Sequence, residues 1–275
     1  MWFFEELYND TKLGIDGKLI HKEKSKFQEA GVYDTVRLGR VLTLNNIIQI
    51  ADRECIVYNE MISHPVLLTH PKPENILILG AGNYGILNEV LKHRIKKACV
   101  VETDGMIPRL GKKFFPDICG KAFDDKRVEI IIDDCAKFVS ETKEKFDAVL
   151  INYLSPERNP ASAEFYRDIK TVLKETGLVI TYAGSSMWQT EKITAEFQSL
   201  RKIFPVIRPL SVSIPARAGG PAVFFIASKK LDPIDTEYDI IVSRYRKLGM
   251  ETNYYNPEIQ FAGMMLPNYL RRALK

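Results

Sequence analysis

Ile76-Leu77-Ile78-Leu79-Gly80-Ala81-Gly82-Asn83-Tyr84-Gly85 is the stretch whose reading decides the fold. Four apolar residues make a buried strand, a glycine-rich turn follows, and the turn opens a helix. Val100-Val101-Glu102 then closes a second strand on a carboxylate. A spacing of about 20 residues from turn to acid is what a nucleoside needs when it lies across a βαβ unit with its ribose hydroxyls on the acid. Gly80 and Gly82 carry no Cβ, so the backbone turns sharply and lets a ligand come close. The helix behind them begins with its amide groups facing that ligand. Glycines alone mark any tight turn; the strand before and the carboxylate after turn this one into a nucleoside site.

Downstream, the same alternation continues. Strands are expected at Asn75–Leu79, Ala98–Glu102, Val128–Ile132, Phe146–Ile151 and Leu178–Tyr182, with later ones near Val206–Val212 and Ala222–Ser228. Helices are expected at about Ile86–His93, Gly105–Phe115, Cys135–Glu141, Ser162–Lys174 and Trp188–Ile203, and near Glu237–Leu248 in the tail. Alternating strands and helices give a parallel sheet covered on both faces, with ligands at the carboxyl ends of the strands. Glu102 sits where it can accept from vicinal ribose hydroxyls, or be a solvated strand end. Asp134 sits where it can meet an adenine amino group, or cap the helix from Cys135. Asp104 is a ligand neighbour or a cap. Glu157 is the nearest acid to the fourth strand end, and solvation at the surface explains it more simply. Arg217, with Ala218-Gly219-Gly220-Pro221, reads as a plain surface turn near the site. Tyr182 and Trp188 read as packing.

Upstream, Trp2 to about His70 runs mostly with period two. Lys18–Ile20, Ala30–Val36, Val41–Leu44 and Ile47–Ile50 read as short strands, and Asn45-Asn46 as a hairpin turn, because Asn tolerates positive φ. Glu54 to Leu68 turns helical, with Ile56, Met61, Ile62 and Val66 spaced for one buried face. His70-Pro71-Lys72-Pro73 is a stiff hinge. Two units follow: residues 1–70, a small antiparallel β domain, and residues 71–275, a nucleoside-binding domain with a C-terminal helical tail.

Composition limits the function. The chain has 275 residues, 45% hydrophobic and 27% charged, with a formal net charge of +4. The basic residues are scattered, so no nucleic-acid footprint is expected. Four separated cysteines without a Cys-x-x-Cys fit a reducing cytoplasm. Four histidines show no ligand spacing, and no metal site is expected. No signal peptide and no membrane span are expected.

Several segments together carry a resemblance. They are Trp2-Phe3, Ser25-Lys26-Phe27-Gln28, Arg40-Val41-Leu42-Thr43-Leu44, Ile48-Gln49, Tyr58-Asn59-Glu60-Met61, His70-Pro71-Lys72-Pro73, the Gly80 turn, Val101-Glu102-Thr103-Asp104, Phe123–Val128, Tyr254-Tyr255-Asn256-Pro257 and Met265-Leu266-Pro267. Taken from Trp2 to Leu274, the chain resembles the polyamine aminopropyltransferase (spermidine synthase) family. The resemblance implies an α/β, methyltransferase-like Rossmann fold with a small N-terminal antiparallel β domain, and a homodimer or homotetramer. It implies decarboxylated S-adenosylmethionine as co-substrate and a small-molecule amine as acceptor. Gln28, Gln49, Gly80, Gly82, Asn83, Glu102 and Asp134 are then donor-side residues. Asn59, Ser155, Glu157 and Tyr254 line the acceptor pocket, and Tyr58 and Asn152 stand at the reacting centre.

The chemical half departs from the family. The family turn reads Gly-Gly-Gly-Asp-Gly-Gly, and its Asp position is Asn83 here. The family's fourth-strand motif is Asp-Ser-Ser-Asp-Pro, and its two Asp positions are Asn152 and Ser155 here. A His common before Glu-Met is Asn59. An amide cannot serve as a general base, and a diamine is costly to bury without carboxylates. Glu157 or Asp133 is the candidate substitute. The expected function is aminopropyl transfer to an acceptor other than standard putrescine. Two alternatives share the fold: a transferase using intact S-adenosylmethionine (methyl or aminocarboxypropyl transfer), and a non-catalytic relative.

Overall fold

The structure, a computed structural model, describes residues 1–8, 10–80, 84–152 and 162–275. The chain starts with a five-stranded antiparallel meander: β1 (Trp2–Tyr8), β2 (Thr11–Lys24), β3 (Glu29–Thr35), β4 (Gly39–Leu44) and β5 (Ile47–Ala51). Asn45 and Asn46 both have positive φ, 48° and 63°, which is the paired left-handed geometry that lets a two-residue turn match strand twist. Alternation sends the strands' side chains to two places. Ala30, Val32, Leu42 and Ile50 join the large core beneath the sheet. Phe3, Tyr33, Val41 and Ile48 form a smaller cluster with Ala216, and the Phe3 and Tyr33 rings stack at 4.1 Å.

Helix α1 (Cys55–Thr69) follows directly. A single buried stripe was expected; instead every residue from Asn59 to Thr69 is buried. The helix is enclosed because it packs against other helices on one side and against strands on the other, which leaves it no solvent face.

Among the described residues the second sheet has seven strands. They are β6 (Asn75–Leu79), β7 (Lys97–Glu102), β8 (Val128–Ile132), β9 (Phe146–Ile151), β10 (Leu173–Ser185), β11 (Val206–Val212) and β12 (Ala222–Ser228). Their spatial order is β11-β12-β10-β9-β6-β7-β8. Pairings from β8 to β10 are parallel, whereas β12 runs antiparallel to both β10 and β11. The sheet is thus mixed, where alternation alone suggested a parallel one. The remaining helices are α2 (Gly85–Leu91), α3 (Met106–Phe114), α4 (Pro116–Cys119), α5 (Cys135–Glu141), α6 (Ala163–Val172), α7 (Thr190–Arg201), α8 (Tyr238–Leu248), α9 (Pro257–Met264) and α10 (Asn268–Ala273). Along β6, Ile76 and Ile78 face one core and Leu77 and Leu79 the other, as expected for a central strand buried on both sides.

Several boundaries differ from expectation: β10 runs from Leu173 to Ser185 rather than Leu178 to Tyr182, β2 covers Thr11–Lys24 rather than Lys18–Ile20, and two helix boundaries have a local cause. The helix expected over Ser162–Lys174 begins as read, with Ser162 Oγ accepting the Phe165 N–H. It ends at Val172, because Leu173 turns extended to pair with Phe146 of β9. The helix expected from Trp188 starts at Thr190, since residues 186–189 form the turn that leaves β10.

Candidate functional site

The chain moves from β6 outward through β7 to β8, then returns to the other side of β6 as β9. The order therefore reverses between β6 and β9, and the carboxyl ends of those strands are where open α/β sheets bind their ligands. Gly80 ends β6 with φ of 79°, a conformation other residues adopt at a cost, and its N–H donates to Val101 O at 2.8 Å. Asn152 ends β9, its N–H donating to Leu79 O at 2.8 Å.

On the β7 side, Glu102 is buried and its Oε1 accepts the Asp104 N–H at 2.9 Å. Asp104 does two jobs. Its Oδ1 accepts the Met106 N–H at 3.0 Å, at the start of α3. Its Oδ2 accepts from Ser25 Oγ at 2.6 Å and from Gln28 Nε2 at 3.0 Å. Those two residues sit in the β2–β3 connection, so the first sheet is tied to the carboxyl edge of the second through one buried carboxylate. Asp134 caps α5, accepting the Lys137 N–H at 2.9 Å. Asp133 pairs with Lys137 at 3.5 Å beyond β8. That is three strand spacings from β9, about 14 Å, so Asp133 does not stand in for a carboxylate at Asn152. Gln49 lies on β5 and donates to Ile47 O at 3.3 Å.

The β9 side holds the reacting-centre candidates. Tyr58 on α1 donates its hydroxyl to Asn152 Oδ1 at 2.8 Å, and Asn152 Nδ2 donates to Gly80 O at 3.1 Å. Both ends of the amide are occupied. Burial pushes the Tyr58 phenol well above its usual range, against an opposing pull from Arg217, so it stays a hydrogen-bond donor. Tyr182 and Phe224 are directly paired across β10 and β12, and their rings close around Tyr58 at 5.9 and 5.3 Å between centroids.

Arg217 corrects the expectation of a plain surface turn. Its guanidinium carbon sits 5.9 Å from the Tyr58 ring centre and 5.7 Å from that of Tyr182. The loop is held from three directions. Ala216 N–H donates to Glu54 Oε2 at 2.6 Å, Met187 N–H to Gly219 O at 2.9 Å, and Ser186 N–H to Pro221 O at 2.9 Å. Gly219 has φ of 96° and lies under the Trp188 ring, where a Cβ would come within 2.8 Å of the indole.

Two further acids belong to this neighbourhood. Glu54, 8% exposed at the start of α1, has its carboxyl pushed up by burial and pulled back by Ala216 N–H and Arg217. Glu5 on β1 is 5% exposed, and burial pushes its carboxyl to about 7 against the pull of Arg217. Its Oε2 has no hydrogen-bond partner among the described residues. Period-two reading places Glu5 on the same face as Phe3, so a carboxylate on an apolar stripe was the signal available in the sequence.

Asn59 is buried with its amide against Gly85, where a Cβ would meet Nδ2 at 2.1 Å. Tyr254 is half-buried, and its N–H donates to Glu60 Oε2 at 2.9 Å. Gly82, Asn83, Ser155 and Glu157 lie outside the described residues. Among the described residues no three His, Cys, Asp or Glu side chains are grouped to hold a metal, and no helix is long and apolar enough to cross a membrane.

Comparison with known proteins adds the following. Residues 55–238 match the spermine/spermidine synthase domain, and residues 1–52 the spermidine synthase tetramerisation domain. The polyamine aminopropyltransferase of Bacillus mycoides is 34% identical over 283 residues, covering 100% of this chain and 99% of that protein. That of Caldicellulosiruptor bescii is 35% identical over 285 residues, covering 100% and 98%. Among solved structures, spermidine synthase from Thermotoga maritima superposes with a TM-score of 0.93 at 30% identity, over 100% of this chain and 94% of that one. A spermidine synthase in complex with the transition state analogue AdoDATO superposes at 0.92 with 29% identity, again over 100% and 94%.

Proposed function

The chain belongs to the spermine/spermidine synthase family, and from that premise we propose that it transfers an aminopropyl group from decarboxylated S-adenosylmethionine to an amine other than standard putrescine. The observation that carries the acceptor reading is the Tyr58–Asn152–Gly80 chain of hydrogen bonds. A neutral amide, committed at both ends, stands where proton removal from the amine would take place.

Glu102 and Asp134 border the nucleoside half, with Gly80 beneath it and Gln28 held close through Asp104. Gln49 belongs to the same half in this reading, as do Gly82 and Asn83. Tyr58 and Asn152 flank the sulfur end; Asn59, Ser155, Glu157 and Tyr254 are assigned to the acceptor side. The acceptor nitrogen attacks the propyl carbon attached to the sulfonium. A C–N bond forms, the C–S bond breaks, and its electron pair neutralises sulfur, giving methylthioadenosine. An ammonium has no lone pair to attack with and Asn152 cannot deprotonate it, so the amine must arrive neutral and the gain comes from positioning; the product nitrogen then carries the positive charge or passes its proton to water.

The same proposal includes a homodimer or homotetramer built through the first sheet, and a division of the chain near residue 70. A cytoplasmic setting fits the four cysteines, which are buried, are not in disulfides among the described residues, and have thiols pushed up to about 12 by burial. The test incubates the protein with decarboxylated or intact S-adenosylmethionine and a panel of amines, and detects products by mass spectrometry. Methylthioadenosine with the decarboxylated donor is the expected result. Adenosylhomocysteine from the intact donor, with no methylthioadenosine from either, would overturn it.

A further inference from the structure

Arg217 is half-buried above the Tyr58 and Tyr182 rings, next to the hydrogen-bonded Tyr58–Asn152 pair. Guanidinium on an aromatic face is a favourable placement that leaves the edge of the fork free. Among the described residues, Arg217 side-chain N–H groups make no hydrogen bond, and no carboxylate comes within ion-pair distance of them. The acids that face it are committed or set back. Glu54 Oε2 is held by the Ala216 N–H, and Glu5 is buried in the first sheet with its carboxyl near half-protonation at neutral pH. A positioned cation with no hydrogen-bond or ion-pair partner among the described residues therefore borders the reacting centre.

We infer that the acceptor of this site is an amine whose far end is a carboxylate, gripped by the Arg217 guanidinium above the Tyr58–Tyr182 floor. The inference rests on the aminopropyl-transfer reading and narrows its substrate class. A planar guanidinium matches a carboxylate with two parallel hydrogen bonds, and such charge-assisted pairs exceed neutral ones. A diamine would bring a second ammonium against the same guanidinium and be repelled. The transfer step is unchanged: the free amine end forms the C–N bond, sulfur keeps the C–S electron pair, and the proton leaves with solvent. The carboxylate end stays bound throughout and takes no part in bond making.

The matched pair 4-aminobutanoate and 1,4-diaminobutane differs only in the far group. Binding of each is measured by calorimetry in saturating methylthioadenosine, alongside methylthioadenosine release with the decarboxylated donor. We expect 4-aminobutanoate to bind at least about tenfold more tightly than the diamine, and to be the better acceptor. Arg217→Leu should erase that preference while leaving methylthioadenosine affinity unchanged, and Arg217→Lys should keep part of it. Methylthioadenosine affinity also reports that each variant is folded. If methylthioadenosine binds but the diamine is preferred, or if Arg217→Leu leaves 4-aminobutanoate affinity unaltered, the inference falls and aminopropyl transfer stands. If methylthioadenosine does not bind the wild type, both fall together.

Discussion

Asn152 accepts from Tyr58 and donates to Gly80 O, a combination that an ionised carboxylate cannot reproduce. The residue therefore suits its surroundings as an amide, and its role is to fix the Tyr58 hydroxyl. Asn152→Asp should lose the bond to Gly80 O and cost about 1 kcal/mol of stability. It should also provide a base. An alkyl amine has a pKa of about 10.4, so wild-type turnover should climb about tenfold per pH unit through neutrality. In Asn152→Asp that climb should flatten, with a gain of roughly 10²-fold near pH 7. Rates of methylthioadenosine release across pH decide it; a wild-type profile that is already flat at pH 7 would rule out the neutral-amine account. Glu5 offers a stability measurement. Its folded carboxyl lies near 7 and its reference value is 4.5. A raised acid favours the folded state while protonated, so its contribution is complete below 4.5. It is then lost progressively as pH rises from 4.5 to about 7. The loss is about 3 kcal/mol. Glu5→Gln should leave the melting temperature near pH 4.5 almost unaltered and raise it at pH 8. A Glu5→Gln protein with the same pH–melting curve as wild type would refute the assignment. Glu102, Asp134 and Asn152 were legible as strand-end residues because each follows its own apolar run. Arg217 and Glu54 were not, because they are brought together by the Ala216 N–H donating to Glu54 Oε2, a bond between residues 162 apart in sequence.

At the scale of elements, α1 links the pieces. It carries Tyr58 toward the site on one side, and on another it carries Glu60, which is fully buried. The Glu60 carboxylate accepts the N–H groups of Asn253, Tyr254 and Tyr255 at 2.8, 2.9 and 2.6 Å. One side chain thus docks the segment leading into α9 onto the core. Glu60→Ala would strand three backbone donors, and we expect a loss of about 3 kcal/mol or more. Chemical denaturation should show it as a lower midpoint; an unchanged midpoint would mean that water replaces the carboxylate. The helix starts after Ser162 and Asp134 were readable because a cap announced them. The end of α6 was not, because no breaker precedes Leu173; the chain leaves the helix to pair with β9, a partner far off in sequence.

For the whole molecule, the first sheet bears an outward apolar face. Trp2 is 62% exposed and Phe4 51%, and both rings lie over Gly14 of β2. Exposed aromatics grouped on one face mark an association surface, and residues 1–52 match a tetramerisation domain. A Trp2→Ser, Phe4→Ser double variant should elute with a smaller mass in light scattering than the wild type. Retention of the wild-type mass would place the contact elsewhere. The order of the seven strands also belongs to this scale. Period and spacing announced strands near β11 and β12, yet not that β12 inserts antiparallel beside β10 and so sets Phe224 against Tyr182.

By itself the sequence determined the alternation of strand and helix, the Gly80 turn, the acid at Glu102, the neutral residue at Asn152 and the family. Each is written in a contiguous run, where apolar period and backbone permissiveness act on near neighbours. Only the tertiary structure decided that Glu5 from the first strand, Glu54 from the head of α1 and Arg217 from the β11–β12 loop share one neighbourhood with Tyr58 and Asn152. Charge acts through space rather than along the chain. A guanidinium in a glycine-rich loop has no chemical meaning until folding sets its neighbours.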